Sequence, residues 1–423
     1  MPAIPTLFGV PVDFILFAFT LAGVALFHHH TLRVAVIGLL VITAYKLAFS
    51  GFRGLPGVGG LLALLGHEWV TVANLFGLLL GFALLSKHFE ESGLPALLPR
   101  FLPDDWKGGF VMLLIVFVLS SFLDNIAAAM IGGTMATVLF KGRLHVGFLA
   151  AIVAASNAGG AGSVVGDTTT TMMWIAGVSP LQVLDAYVAA VPALLFFSFF
   201  AARQQHAFQP ITRDAPAGIS VDGWRLVIVG IILLAAIGSN VYFNLRHPEV
   251  LNNAPVIGLA VWLAIMLTGW LRKPDWSLLP GATRGSIFLL SLVLCASMMP
   301  VEHLPGASWQ TALGLGFVSA VFDNIPLTAL ALHQGGYDWG FLAYAVGFGG
   351  SMIWFGSSAG VALAGMFPQA RSVAAWLKGG WHVAVGYVLG FAILLFTLGW
   401  HPDAPRKAPQ VAKTVPIFFA ESR

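Results

Sequence analysis

Ser156-Asn157-Ala158-Gly159-Gly160, followed by Gly166-Asp167-Thr168-Thr169-Thr170-Thr171-Met172-Met173-Trp174, decides how this chain must be read. The stretch lies in an apolar segment, 145–175, with glycines, hydroxyls and a carboxylate near its centre. Such interruptions at membrane depth are tolerated only inside protein or beside a cavity. A broken helix is therefore predicted here, with Ser156 to Gly160 as its first irregular part.

The same frame recurs downstream. Gly-Gly-x5-Gly fits Gly159, Gly160 and Gly166 and again Gly349, Gly350 and Gly356, while Gly147-Phe148-Leu149-Ala150 returns as Gly340-Phe341-Leu342-Ala343. The chain thus holds an internal repeat, and 339–366 is read as a second broken helix. Each is preceded by an apolar region, 108–140 or 307–333, interrupted at Asp124-Asn125 or Asp323-Asn324. An arm such as Gly108 to Leu123 has 16 residues, about 24 Å of helix, short of a hydrocarbon layer of about 30 Å. Two re-entrant helical hairpins with acidic tips follow.

Composition agrees. Hydrophobic residues make up 58% of the 423 and charged ones 9%, against about 25% charged in soluble domains. Spans are predicted near 10–27, 31–49, 68–88, 183–201, 224–244, 255–271, 284–300 and 380–399. Long continuous runs without alternation exclude a barrel, leaving an all-α polytopic membrane protein. Residues 1–27 lack a basic start and a small-residue cleavage pattern, so the first span is read as retained. The net charge of +3 is spread without a dense basic run, which excludes nucleic acid as a partner and leaves the lipid bilayer. Cys295 stands alone in an apolar run and reads as a small core side chain, and His28 to His30 as a short loop.

Five crossings separate the hairpins, at 145–175, 183–201, 224–244, 255–271 and 284–300. An odd number inverts the second repeat. Arg100, Lys107, Lys141 and Arg143 flank the first hairpin, whereas Glu302, His303, His333 and Asp338 flank the second. The excess of Lys and Arg puts the first mouth in the cytoplasm. Arg213 falls on the same side, Lys46 and Arg53 outside, and the tail with Arg406, Lys407 and Lys413 is a mild exception. The expected organisation is a first repeat over 1–201, a cytoplasmic linker over 202–223, an inverted second repeat over 224–400 and a tail over 401–423. Lys46, Glu68, Asp185 and Glu302 lie at expected helix ends and read as interfacial.

A mid-membrane carboxylate costs roughly 2.5 to 3.5 kcal/mol on insertion scales and is kept where water, ions or partners reach it. Asp124, Asp167 and Asp323 are the first candidates. Each also fits as the N-cap of the helix that follows, and the two roles are compatible, because broken helices aim their ends at one midplane site. Hydroxyl and amide oxygens from Ser156, Asn157, Ser163, Thr168 and Thr169 give the hard-oxygen surround an alkali cation prefers. Asn125 and Asn324 join them at the hairpin tips. Thr170 and Thr171 point elsewhere on the helical wheel and fit bonding back to carbonyls. The second repeat has Ser357 and Ser358 at the frame positions of Asp167 and Thr168, with Ser351 nearby. The sodium candidates are Asp124, Asp167, Thr168 and Asp323.

The stretch from Ser156 through Trp174 strongly resembles the D-type bacterial sodium/proton antiporters of the ion-transporter superfamily. Asp124-Asn125, Asp323-Asn324-Ile325-Pro326 and Gly349 through Val361 are similar to that family's hairpin tips and second broken helix. Arsenite permeases and citrate or dicarboxylate carriers in the superfamily typically have a Ser-Asn-Thr type tip where this chain has Asp-Asn. Gly162 and Val164 stand where the antiporters carry a bulky aromatic and a proline. The resemblance implies a homodimer with a fixed scaffold and a moving transport domain, located in the bacterial inner (plasma) membrane.

The expected function is exchange of sodium, with lithium as a second candidate, for protons by alternating access, without a cofactor and without enzymatic chemistry. Desolvation favours the neutral form of a buried carboxylate, so the aspartates would hold protons or a sodium ion in competition. The rival reading is a sodium-coupled carrier of a small organic or inorganic anion. No Lys or Arg interrupts either motif region, which favours a cation.

Overall fold

The computed structural model describes residues 5–27, 30–52, 55–97, 101–212 and 220–403. His28, His29, Arg53, Arg100, residues 213–219 of the linker with Arg213, and the tail from 404, with Arg406, Lys407 and Lys413, lie outside the described residues.

A two-residue antiparallel pair, β1 (Thr6–Leu7) and β2 (Val10–Pro11), precedes an otherwise helical chain. The first helices are α1 (Val12–Leu26), α2 (Thr31–Tyr45) with a π turn at Lys46–Ser50, α3 (Gly57–Glu91) and the short α4 (Leu94–Leu97). Next come α5 (Trp106–Ser120) and α6 (Asn125–Leu139), then α7 (Val146–Ala161) and α8 (Thr168–Ile175). The short α9 (Pro180–Leu184) leads into α10 (Ala186–Phe208). The middle of the chain forms α11 (Gly223–Arg246), α12 (Pro248–Asn253), α13 (Val256–Thr268) and α14 (Leu279–Ser297). The last group is α15 (Trp309–Ser319), α16 (Asn324–Gln334), α17 (Trp339–Gly349), α18 (Ser358–Met366), α19 (Val373–Gly379) and α20 (Trp381–Thr397).

Among the described residues, five helical stretches are long and apolar enough to cross a membrane, or six if α19 and α20, bent by 60°, count as one. The chain is a multi-pass, all-α membrane protein. The helices of 15 and 15 residues in α5 and α6, and of 11 and 11 in α15 and α16, reach only about 22 Å and 16 Å. All four are short of a crossing.

Local chemistry explains the starts of the second arms. Asp124 accepts from Ile126 N at 3.2 Å and Asp323 from Ile325 N at 3.0 Å, each satisfying an orphan donor of the first turn. Pro326, in the first turn of α16, costs no helix bond. The two halves also share internal ties. Ser120 Oγ donates to Ser156 O on α7 and Ser319 Oγ to Val346 O on α17, and an added Cβ at Gly159 or Gly349 would strike the carbonyl of Phe117 or Gly316.

Several expectations shift. The span expected at 68–88 begins at Gly57 and runs 35 residues, about 52 Å. Glu68 is therefore mid-helix and 5% exposed rather than at an end. Lys46 is buried too, paired with Asp13 at 3.0 Å while Ser50 Oγ donates to the same oxygen. A buried pair of this kind ties α1 to α2, and removing one partner would leave the other charge unpaired. At the opposite end, Arg225 meets Glu91 at 2.6 Å and Arg272 meets Asp222 at 2.7 Å. Arg272, by donating to it, holds the half-buried Asp222 carboxyl below its usual range.

Candidate functional site

The first break falls later than the motif suggests. Ser156 to Gly160 are helical, and the chain leaves the helix at Gly162 to rejoin it at Thr168. A turn closes the gap: Ser163 N donates to Gly160 O at 3.0 Å and Gly166 N to Ser163 O at 3.3 Å. Ser163 Oγ donates to Ser121 O at 2.6 Å, and Thr170 Oγ1 donates back to Ser163 O, so this serine braces the break. Asp167 caps α8 through Thr169 N at 3.1 Å. The second break runs from Gly350 to Ser357, whose hydroxyl caps α18 through Gly360 N at 3.2 Å.

Close backbone approach holds both breaks. A Cβ at Gly160 would lie 2.8 Å from Gly166 O, and one at Gly350 2.7 Å from Gly356 O. Gly166 and Gly356 press in turn on the carbonyls of Ser120 and Ala320 at the hairpin tips. Each hairpin is thus locked to the break of its own half. At Gly162 a Cβ would run into the ring of Tyr187, whose hydroxyl donates to Gly159 O at 2.9 Å, so in this chain Tyr187 occupies the space beside the break.

Polar contacts then join the halves. Asn125 Nδ2 donates to Asn157 Oδ1 at 3.2 Å, and Asn157 Nδ2 donates to Ser351 Oγ at 2.9 Å and Ser357 Oγ at 3.0 Å. Asn324 Nδ2 approaches Asp167 Oδ2 at 3.5 Å. The same carboxylate oxygen lies 3.6 Å from where a Cβ on Gly347 would be. Each half therefore sends one amide into the other, and Gly347 packs against Ala161 beside the carboxylate.

Asn125, Asp167 and Asn324 of this set, with Asp124, Thr168 and Ser358, line a cavity of about 360 Å³, whereas Asn157, Ser351 and Ser357 are not among its lining residues. Asp167 is 3% exposed. Among the described residues, no Lys or Arg lines this cavity. Asp323 is placed differently: it accepts from Ser358 Oγ at 3.2 Å and lines a neighbouring pocket of about 230 Å³ beside α1 and α14. Ser156 donates to Val153 O, and Thr170 and Thr171 both bond back to Asp167 O at 2.9 Å, but Thr171, expected to turn from the site, lines the cavity all the same. Thr169 Oγ1 is buried with no partner in hydrogen-bond geometry.

Reasoning from sequence did not give Asn157 its place as the link between halves. Among the described residues no group of three or more His, Cys, Asp or Glu is arranged to hold a metal ion. Removing the Asn157 amide would leave Asn125, Ser351 and Ser357 without their buried partner. Asn157→Ala is expected to cost on the order of 1–3 kcal/mol, read as a lower melting midpoint of the detergent-solubilised protein. An unchanged midpoint would show the network to be energetically idle.

Two pairs of short helices with acidic N-caps and two broken helices meet at one polar cavity, an arrangement that resembles that of multi-pass secondary transporters built around discontinuous helices. The chain is 27% identical to "Sodium/proton antiporter 1" of Arabidopsis thaliana, over 72% of this chain and 58% of that relative. It is 26% identical to "Na(+)/H(+) antiporter NhaD" of Vibrio cholerae over 66% of this chain and 68% of the relative, and 25% identical to the protein of that name from Alkalimonas amylolytica over 69% and 68%. No family model matches the chain. The matched region spans less than two thirds of the Arabidopsis protein's length. These similarities support the NhaD-type sodium/proton antiporter family.

Proposed function

We propose that the protein exchanges sodium for protons by alternating access. The observation that carries this reading is the meeting of Asp124 and Asn125 from one hairpin tip, Asn324 from the other, and Asp167 and Thr168 from the first break around one cavity free of Lys and Arg. Oxygen ligands with uncompensated carboxylates suit a hard monovalent cation, and a carboxylate desolvated when the cation leaves favours a proton in its place. The names of the relatives point the same way.

The reading extends to architecture. The two hairpins are re-entrant and the repeats over 1–201 and 224–400 are inverted, joined by a cytoplasmic linker over 202–223. Equal caps at Asp124 and Asp323 and equal glycine contacts in the two breaks support the repeat, and the excess of Lys and Arg beside the first hairpin supports its inversion. The protein works as a homodimer in the bacterial inner membrane, with sodium and protons as its transported ions and no cofactor.

The exchange reading is tested in inside-out vesicles that hold a respiration-driven pH gradient. Added sodium should dissipate the gradient, whereas citrate or arsenite should not. Dissipation only by an anion promotes the rival carrier. The architecture is tested by single-cysteine labelling in a Cys295→Ser background. Sites at 104–107 and 141–143 should react from the cytoplasm and sites at 302–305 and 333–338 from the opposite face. All four on one face ends the inverted-repeat model.

A further inference from the structure

The cavity around Asp167 does not end there. A second chamber of about 670 Å³ adjoins it, and the two share Ala83 and Ser86 of α3, Ala127 of α6, and Gly281 and Ala282 of α14. The shared residues are all small and mark the boundary between the two chambers, here called the neck. Gly285, one turn along α14 from Gly281, lines the inner chamber. The outer chamber reaches Lys87 and Glu90, paired at 3.1 Å near the charged end of α3.

Two further facts bear on what fills this space. A Cβ at Gly281 or at Gly285 would meet nothing within 4 Å, so neither glycine is required for helix packing there. Gly in a helix interior costs roughly 0.5–1 kcal/mol relative to Ala, a cost left without a packing return. Ser86 Oγ, on the opposite wall of the neck, is buried with no hydrogen-bond partner. A buried hydroxyl left without a partner is a polar feature of the wall that the two chambers share.

We propose that the two chambers are the cytoplasmic access path of the transported cation, and that Gly281 and Gly285 keep its neck open. The inference rests on the cation reading of the inner cavity and adds the route and the residues that define its width. At the mouth, Glu90 is more exposed than the Lys87 it pairs with, 61% against 26%, so a carboxylate faces the entry.

The test uses the full chain with Cys295→Ser and either Gly281→Cys or Gly285→Cys, treated in inside-out vesicles with a membrane-impermeant, negatively charged methanethiosulfonate. A single thiol is the smallest probe, and the space around both positions accepts it. Gly238→Cys on α11, also in open space but away from the chambers, is the control. Modification at 281 and 285, seen as a mass shift, is expected to cut sodium-dependent proton movement at least tenfold, with exchange in the treated control unchanged. Absence of modification from the cytoplasmic face overturns the path. So does modification that leaves exchange intact. If the parent shows no sodium-dependent exchange, the cation reading fails and takes this inference with it, even where the mass shift shows the chambers to be wet.

Discussion

Asp167→Asn should insert and fold normally yet lose sodium-dependent proton movement. The substituted amide keeps an oxygen to accept from Thr169 N, the 3.1 Å bond that starts α8, so the cap survives. What goes is the negative charge at a residue 3% exposed, facing Asn324 of the other half at 3.5 Å. A neutral group there neither offsets the desolvation of a cation nor takes up a proton in exchange. We expect a fall on the order of 100-fold, equivalent to about 2.7 kcal/mol of lost stabilisation, measured as recovery of a quenched pH dye in inside-out vesicles. Asp167→Glu should retain part of the activity with an altered pH dependence. Normal exchange by the Asn protein at normal abundance would reduce Asp167 to a capping residue.

Gly160→Val and Gly350→Val should each leave a membrane-inserted protein with less than about a tenth of parental transport. A branched side chain cannot share space with a carbonyl 2.8 Å or 2.7 Å from its first carbon. The nearest moveable element is the break itself, so the strain displaces Asp167 in one case and Ser357 in the other. Gly365→Ala on α18, whose Cβ would meet nothing within 4 Å, is the matched control and should transport normally. Parental rates in both valine proteins would mean that the breaks tolerate rearrangement and do not position the site.

The broken helices were legible because polar residues inside apolar runs are costly in lipid and rarely incidental. The position of the first break was not. Ser156 to Gly160 look irregular in sequence, but small residues continue a helix where neighbouring backbones press close, as Phe117 does on Gly159. The chain instead breaks at Gly162, at a turn closed by backbone bonds that leave no compositional mark. Lys46 read as interfacial because its partner, Asp13, is 33 residues away and only the packing of α1 on α2 brings them together. The link from Asn157 to Ser351 and Ser357 spans 194 and 200 residues. Each residue was recognisable as a candidate, but their pairing depends on how the halves face one another. The chamber beyond the site was missed for a related reason: glycines 281 and 285 share a helix face, a spacing equally at home in close helix packing.

The most direct measurement uses purified protein in liposomes loaded with sodium, diluted into sodium-free medium at equal pH inside and out, with the membrane potential clamped. The account predicts that sodium leaving the vesicles acidifies the lumen, and that the same dilution does nothing in vesicles bearing Asp167→Asn. A lumen that stays at its starting pH while sodium flows out through the parent protein would contradict exchange.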